Sequence, residues 1–292
     1  NSALDTGVEA NLDIALVLSK LKLTDIQKLE LLESLKNLTD DSKNINDLDL
    51  PILTLMNLKE SSNSNENNSL IISIVQNFLN NPTLSGEQST QLLKVIDAVL
   101  NNSKAEFLTL NNEAFKNILE KIIQIELKDL KDSDQERTEV LLDKIKVVLE
   151  KIDFTSLKGR ALGEDTGASE IDLPQSLIDK LKAIGNSIVF FNETFMPYNS
   201  STYLDFSVVP VGDVTAIELL NSNFNKIDIN NLTDPISIKI PISQTLIDSL
   251  KVNETIRPMY YNTVTNKWST LGITSIEQTS EFVIFKVNHL TD

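Results

Sequence analysis

Apolar residues follow a helical period in the first half of this 292-residue chain and a strand period in the second. The switch, near residue 156, limits the fold more than any other feature. Leu92, Val95, Ile96 and Val99 step by one helical face, as do Phe115, Ile118, Leu119 and Ile122. Leu141, Ile145, Val148, Leu149 and Ile152 have the same spacing. One-sided stripes of this kind predict amphipathic helices, about six of them over residues 12–152. Thr24 with Gln27 and Ser85 with Gln88 have capping-box spacing, in which each residue satisfies an orphan donor of the other. Asn112 reads as the cap of a further helix. The polar stretch KESSNSNENNS, residues 59–69, has too little apolar surface to pack and reads as a loop. Such stripes are core, so no chemistry is assigned to this half.

The texture then changes. LKGRALGEDTGAS carries Gly159, Gly163 and Gly167 and reads as a linker, placed at residues 159–170. IDLPQSLIDKLKAIG follows, a short helix with Pro174 near its start and Gly185 at its end. From Ile188 onward the runs are short, β-branched or aromatic: SIVFF, LDFSVVPV, TAIELL, PISIKIPI, MYYN, TSIEQ and FVIFKV. Ile236, Ile238, Ile240 and Ile242 alternate with smaller or polar residues, the period of a strand. YYNTVTNKWS has turn residues between aromatic ends and reads as a hairpin. Many short strands at close spacing suggest an antiparallel sandwich. The expected fold class is α+β: an all-helical subdomain over residues 1–158, the linker, and an antiparallel β-sandwich over 171–292.

Composition removes several functions. The net charge is −16, with the acidic excess shared by both halves. Nucleic-acid binding needs a basic footprint, and an anionic membrane surface would repel this chain. Mean hydropathy is −0.08, and no apolar run approaches the roughly 18 residues that read as a membrane span. The opening NSALDTGVEA has neither a basic n-region nor an apolar h-region, so no signal peptide is expected within it. There are no cysteines and one histidine. Disulfides, thiolate catalysis and Cys-ligated zinc are thereby excluded, and a His-based metal site is not expected. No cofactor or metal is anticipated. G-x-S-x-G, Walker A, G-x-G-x-x-G and H-E-x-x-H are all absent. Seven N-x-S/T sequons, at Asn37, Asn67, Asn101, Asn192, Asn199, Asn231 and Asn253, are glycosylation candidates and permit a secreted protein.

The one histidine, His289, lies in the closing stretch KVNHLTD, two residues before Thr291. Read with IDLPQSL, SIVFFNETF, NLTDPISIKIPI and RPMYYNTVTNKWSTLGI, this tail resembles the GAIN domain. That domain ends in a GPCR proteolysis site and occurs in adhesion receptors and polycystin-like proteins. The resemblance covers about residues 170–292 by motif and the rest by architecture, since the family also places a helical subdomain before a β-sandwich. Trp268 and Gly272 stand where the family's Trp and Gly stand, with Tyr261 beside them as a structural position. The family's final segment usually reads Cys-x-Cys-x-His-Leu-Ser/Thr. Here Phe285 and Val287 occupy the two Cys positions, and the upstream pair falls at about Arg257 to Met259 and at Ile273. A disulfide is typically worth about 2–4 kcal/mol, so burial and ladder hydrogen bonds must hold this strand instead.

The resemblance implies cis-autoproteolysis. Thr291 would be the nucleophile, Leu290 would supply the scissile carbonyl, and His289 would be the general base. The physical logic is independent of the family. A Thr hydroxyl needs a base within hydrogen-bond reach, and a nucleophile in the same chain loses no translational entropy. The resemblance further implies an extracellular juxtamembrane domain at the plasma membrane. Its partners would be its own downstream tethered strand, a following transmembrane region and an extracellular adhesive ligand. The alternative is an uncleaved structural or adhesive extracellular module without catalysis.

Overall fold

In the computed structural model the chain divides into two compact units, residues 1–129 with 142–145, and residues 130–141 with 146–292. The structure describes residues 2–40, 48–59, 64–153, 162, 169–183, 188–196, 214–230, 232–242, 247–248, 250, 256–262, 265 and 267–290, with backbone only for 2–10, 188, 195, 196 and 275.

The first unit is helical. Among the described residues it holds α1 (Ser2–Ser19), α2 (Asp25–Thr39), α3 (Asp49–Leu58), α4 (Asn65–Phe78), α5 (Gly86–Asn102), α6 (Ala105–Leu110) and most of α7 (Asn112–Asp132). Helix α1 packs on α3, α2 on α4, and α3 on α5. Leu92, Val95, Ile96 and Val99 are all buried, as are Phe115, Ile118, Leu119 and Ile122. Both capping boxes form: Gln27 N–H donates to Thr24 Oγ1 (3.3 Å), and Gln88 N–H to Ser85 Oγ (3.2 Å). Each glutamine's Oε1 accepts the cap residue's own N–H in return.

Two local expectations shift. Helix α7 begins at Asn112 itself, so the cap position falls on Asn111, whose carbonyl accepts from Phe115 N–H (3.0 Å). Helix α4 starts inside the polar stretch expected to be a loop. Asn67 and Asn68 there are buried, and Asn68 Nδ2 donates to Ser103 Oγ (3.0 Å), so tertiary partners supply what composition withholds.

The larger correction concerns residues 137–153, expected to be helical. They form β1 (Arg137–Leu141) and β2 (Lys146–Asp153), paired antiparallel with Arg137 opposite Glu150 and Leu141 opposite Lys146. Residues 147–150 of β2 are all buried, so both faces of this strand are covered. A strand buried on both sides need not alternate, here with Val147, Val148 and Leu149 in succession before the buried Glu150, and the helical stripe read through it was an accident of spacing. The second unit therefore starts well before residue 158. Of the expected linker, Leu162 is buried and pairs with Ile171, while 159–161 and 163–168 lie outside the described residues.

The remaining elements are β3 (Glu170–Asp172), α8 (Gln175–Ala183), β4 (Ile188–Met196), β5 (Val214–Leu220), β6 (Ile236–Pro241), β7 (Tyr260–Asn262), β8 (Lys267–Ser269), β9 (Ile273–Gln278) and β10 (Phe282–Val287). Sequence reading had located every one of these except β3. LDFSVVPV, residues 204–211, and Gly185 lie outside the described residues. One antiparallel sheet has the order β1-β2-β4-β5 and a second β3-β6-β10-β9, with β7-β8 as a separate hairpin. A single apolar cluster draws on both sheets and on α8. It includes Ile152, Val189, Phe191 and Leu219 from the first sheet, Ile171, Ile236, Ile238, Val283, Phe285 and Val287 from the second, and Leu177, Ile178 and Leu181 from the helix.

Among the described residues Glu126, Glu150 and Glu193 are buried. Glu126 on α7 accepts from the hydroxyls of Ser89 (2.5 Å) and Thr90 (2.8 Å) on α5. Burial nevertheless raises its pKa, the two hydroxyls pulling it back and the Asp129 charge adding to the rise. Glu193 on β4 lies opposite Val148 and Ile217, on the same face of its strand as Phe191. Its Oε1 accepts from Ser169 N–H (3.2 Å), and its Oε2 is buried without a hydrogen-bond partner. Burial pushes its pKa up from 4.5 to about 7, offset in part by Ser169 and by the charges of Arg137 and Lys146.

Candidate functional site

Strand β10 is the central scaffold of the tail. It pairs with β6 on one side, Val287 opposite Ile236, and with β9 on the other, Val287 opposite Ile273. Phe285 and Val287 are both in the apolar cluster and Ile273 packs against it. Side chains alternate along a strand, so 283, 285 and 287 share the buried face.

Beyond Val287 the chain is still tied on both sides. Asn288 N–H donates to the Gly272 carbonyl (3.3 Å), the Asn288 carbonyl accepts from Leu232 N–H (3.0 Å), and Leu290 N–H donates to the Ile229 carbonyl (3.0 Å). Leu290 packs partly buried against the cluster. The backbone leading to the Leu290 carbonyl is therefore fixed by hydrogen bonds and by apolar contact at once.

His289 is half-buried, and among the described residues Asn288, Tyr260 and Gly272 lie against its ring. Its Nδ1 lies 2.9 Å from Asn288 Oδ1. Tyr260 packs edge-to-face on its ring, with centroids 4.6 Å apart and planes at 76°. Gly272 lies against the Nδ1–Cε1 edge: a Cβ placed there would sit 2.7 Å from Cε1 and 2.8 Å from Nδ1. Gly272 also has φ +80°, a left-handed conformation that side-chain-bearing residues rarely adopt. Both reasons require glycine at this turn.

The aromatic positions divide between the two faces of β7. Tyr261 is directly opposite Trp268 and packs on it edge-to-face, centroids 5.5 Å apart. Its neighbour Tyr260 is thereby turned to the other face, which is the one that meets His289. Of the residues singled out in the sequence, His289, Leu290 and Gly272 come together, while Tyr261 and Trp268 pair with each other. Thr291 lies outside the described residues. Tyr260, Asn288 and Ile229 were missed, although the first two stand directly beside residues that had been chosen.

The sequons separate by burial. Asn67 and Asn192 are buried, which rules them out as glycan sites in the folded chain, because an attached sugar needs a solvent-facing Nδ2. Asn192 Nδ2 is committed to Glu218 Oε2 (3.1 Å) and its Oδ1 accepts from the Thr194 hydroxyl (3.0 Å). Asn37 and Asn101 are exposed on α2 and α5, and Asn199, Asn231 and Asn253 lie outside the described residues. Among the described residues no helix is long and apolar enough to cross a membrane, and no group of three or more His, Cys, Asp or Glu is arranged to hold a metal ion.

No protein-family model and no curated protein matches the sequence. Among solved structures, the full extracellular region of zebrafish Gpr126/Adgrg6 aligns over 92% of this chain with 14% identity and a TM-score of 0.41. The chain spans 35% of the length of that structure.

Proposed function

We propose that this chain is a GAIN-like juxtamembrane part of the extracellular region of a membrane receptor, with a β-sandwich as its second unit, and that it cuts its own backbone between Leu290 and Thr291. Five sequence segments in family order support the family reading. The apolar cluster drawing on both sheets supports the sandwich. What carries the chemistry is the hold on His289: Asn288, Tyr260 and Gly272 surround the ring, one residue from an anchored Leu290.

In the reaction His289 takes the proton of the Thr291 hydroxyl as Oγ attacks the Leu290 carbonyl carbon. The tetrahedral centre collapses with loss of the Leu290–Thr291 C–N bond, and the Thr291 nitrogen receives the proton back from His289. The resulting ester is hydrolysed by water, which leaves a Leu290 carboxylate and a free Thr291 amine. Each chain turns over once. Fixing the bond in the chain's own fold supplies the orientation that a bimolecular attack would lack. The strand beginning at Thr291 would stay lodged as a tethered agonist ahead of a transmembrane region. An adhesive ligand would act from outside the cell, and Asn37, Asn101, Asn199, Asn231 and Asn253 remain glycan candidates.

Intact mass under denaturing conditions tests the cut, on a chain extended past Asp292 with and without Thr291→Ala. Two fragments that split at Leu290–Thr291 are expected from the native protein and one species from the variant. One species from both sinks the reaction and leaves an uncleaved structural module. That second reading is favoured by one observation: Phe285, Val287 and Ile273 hold β10 by apolar packing, and that role requires no cut.

A further inference from the structure

We infer that Asn288 is a positioning residue: its Oδ1 accepts a hydrogen bond from His289 Nδ1–H and leaves Nε2 as the nitrogen that receives the proton. The role in proton transfer rests on the self-cleavage reading. The tautomer itself rests on geometry alone.

Asn288 is tied through its backbone on both sides, to the Gly272 carbonyl and to Leu232 N–H. Its side chain therefore starts from a fixed Cα, at the turn where the chain leaves β10. From there Oδ1 reaches Nδ1 of the adjacent imidazole at 2.9 Å. An amide oxygen only accepts, so the ring nitrogen that faces it must carry the hydrogen. In a neutral imidazole the other nitrogen then holds the free lone pair. The remaining contacts agree with this division. Gly272 lies along the Nδ1–Cε1 edge and Tyr260 meets the ring edge-to-face, so together with Asn288 they fix the ring's orientation. A base that donates through one nitrogen and accepts through the other cannot exchange them without losing the Asn288 bond. Histidines that carry out proton transfer are oriented by such a partner on the non-reacting nitrogen.

Because His289 is the chain's only histidine, its ring nitrogens give one unambiguous set of long-range ¹H–¹⁵N correlations. The experiment uses ¹⁵N-labelled protein with Thr291→Ala to keep the bond intact, recorded above the histidine titration. A pyrrole-type Nδ1 and a pyridine-type Nε2 are expected. Asn288→Ala should move the ring to the Nε2–H form that an unconstrained imidazole prefers, and Asn288→Asp, which keeps the acceptor, should hold it at Nδ1–H. A pyridine-type Nδ1 in the parent protein overturns the inference, as does an unchanged tautomer in a folded Asn288→Ala. The same two substitutions in the cleavable, extended chain separate the two ideas. If Asn288 positions the base, Asn288→Ala cuts roughly 10- to 100-fold more slowly and Asn288→Asp recovers most of the rate. Equal rates overturn the positioning role. A parent chain that never cuts, yet shows Nδ1–H, removes the reaction and keeps the tautomer.

Discussion

Glu126 in the helical unit and Glu193 in the strand unit are both interior carboxylates, and they are treated differently. Two hydroxyls from the facing helix point at Glu126. Glu193 receives one backbone N–H, at a longer distance, and one of its oxygens has no partner. Both are pushed towards the neutral acid by burial, Glu193 as far as about 7. The cost of an interior charge is set by how many donors reach it. A helix pair can bring adjacent hydroxyls, Ser89 and Thr90, to a single carboxylate. A strand offers its neighbours' backbone groups to the ladder first, and few donors remain for a side chain on the apolar face.

The largest effect is expected at Glu193. Its folded value lies above the ordinary 4.5, so the folded state binds more protons than the unfolded state between those two values. The stability this group contributes is complete below about pH 4.5 and is lost as pH rises through about 7, a total of about 3 kcal/mol at 1.36 kcal/mol per unit. Glu193→Gln removes that dependence. Urea unfolding of both proteins at pH 4.5 and pH 8 measures it: the variant should gain on the parent at the higher pH, and parallel curves would show that the carboxyl is not protonated in the fold.

A smaller change should make the helical carboxylate resemble the strand one. Ser89→Ala with Thr90→Ala strips Glu126 of both hydroxyl donors and raises its pKa further. A loss of about 1–3 kcal/mol is expected at pH 7. At pH 4, where the carboxyl is protonated in either state, the loss should be smaller. An equal loss at the two pH values would assign the effect to packing alone.

The smallest of the three concerns the tail, where a seat is made by an absent atom instead of a donor. Gly272→Ala meets a left-handed backbone and the ring of His289 together. The backbone alone costs about 1–2 kcal/mol. On the self-cleavage reading the displaced ring should also stop the cut, which mass analysis reads directly. Full cleavage with only the stability loss would mean that the ring tolerates a methyl group.

Local signals served the sequence well where they were sufficient. Both capping boxes, the stripes of α5 and α7, the alternation in β6 and the β7–β8 hairpin need only residues within a turn or a strand of one another. Strands β1 and β2 were misread because β2 is covered on both faces: Val147, Val148 and Leu149 in succession show no strand alternation, and Val148 and Leu149 fall by accident on a helical spacing with Leu141, Ile145 and Ile152. Strand β3 is three residues long and exists through its pairing with β6. The sequence singled out His289 and Leu290 in the tail together with Thr291, which lies outside the described residues. Tyr260 was not singled out, because its contact with His289 depends on the hairpin turning one tyrosine to each face.

By itself, then, the sequence determined what depends on composition and near neighbours. It excluded disulfides and thiolate chemistry, predicted the starts of α2 and α5, the order of helices before strands and most of the strand positions, and drew attention to the closing residues. Only the tertiary structure decided which polar groups are inside and what surrounds them. It buried Asn67 and Asn192, left Glu193 short of donors, and brought Gly272 and Tyr260, both distant in sequence, onto the ring of His289. The physical reason is one of range. Caps and periods are enforced by atoms a few residues apart, while the environment of a side chain is set by every element that packs against it.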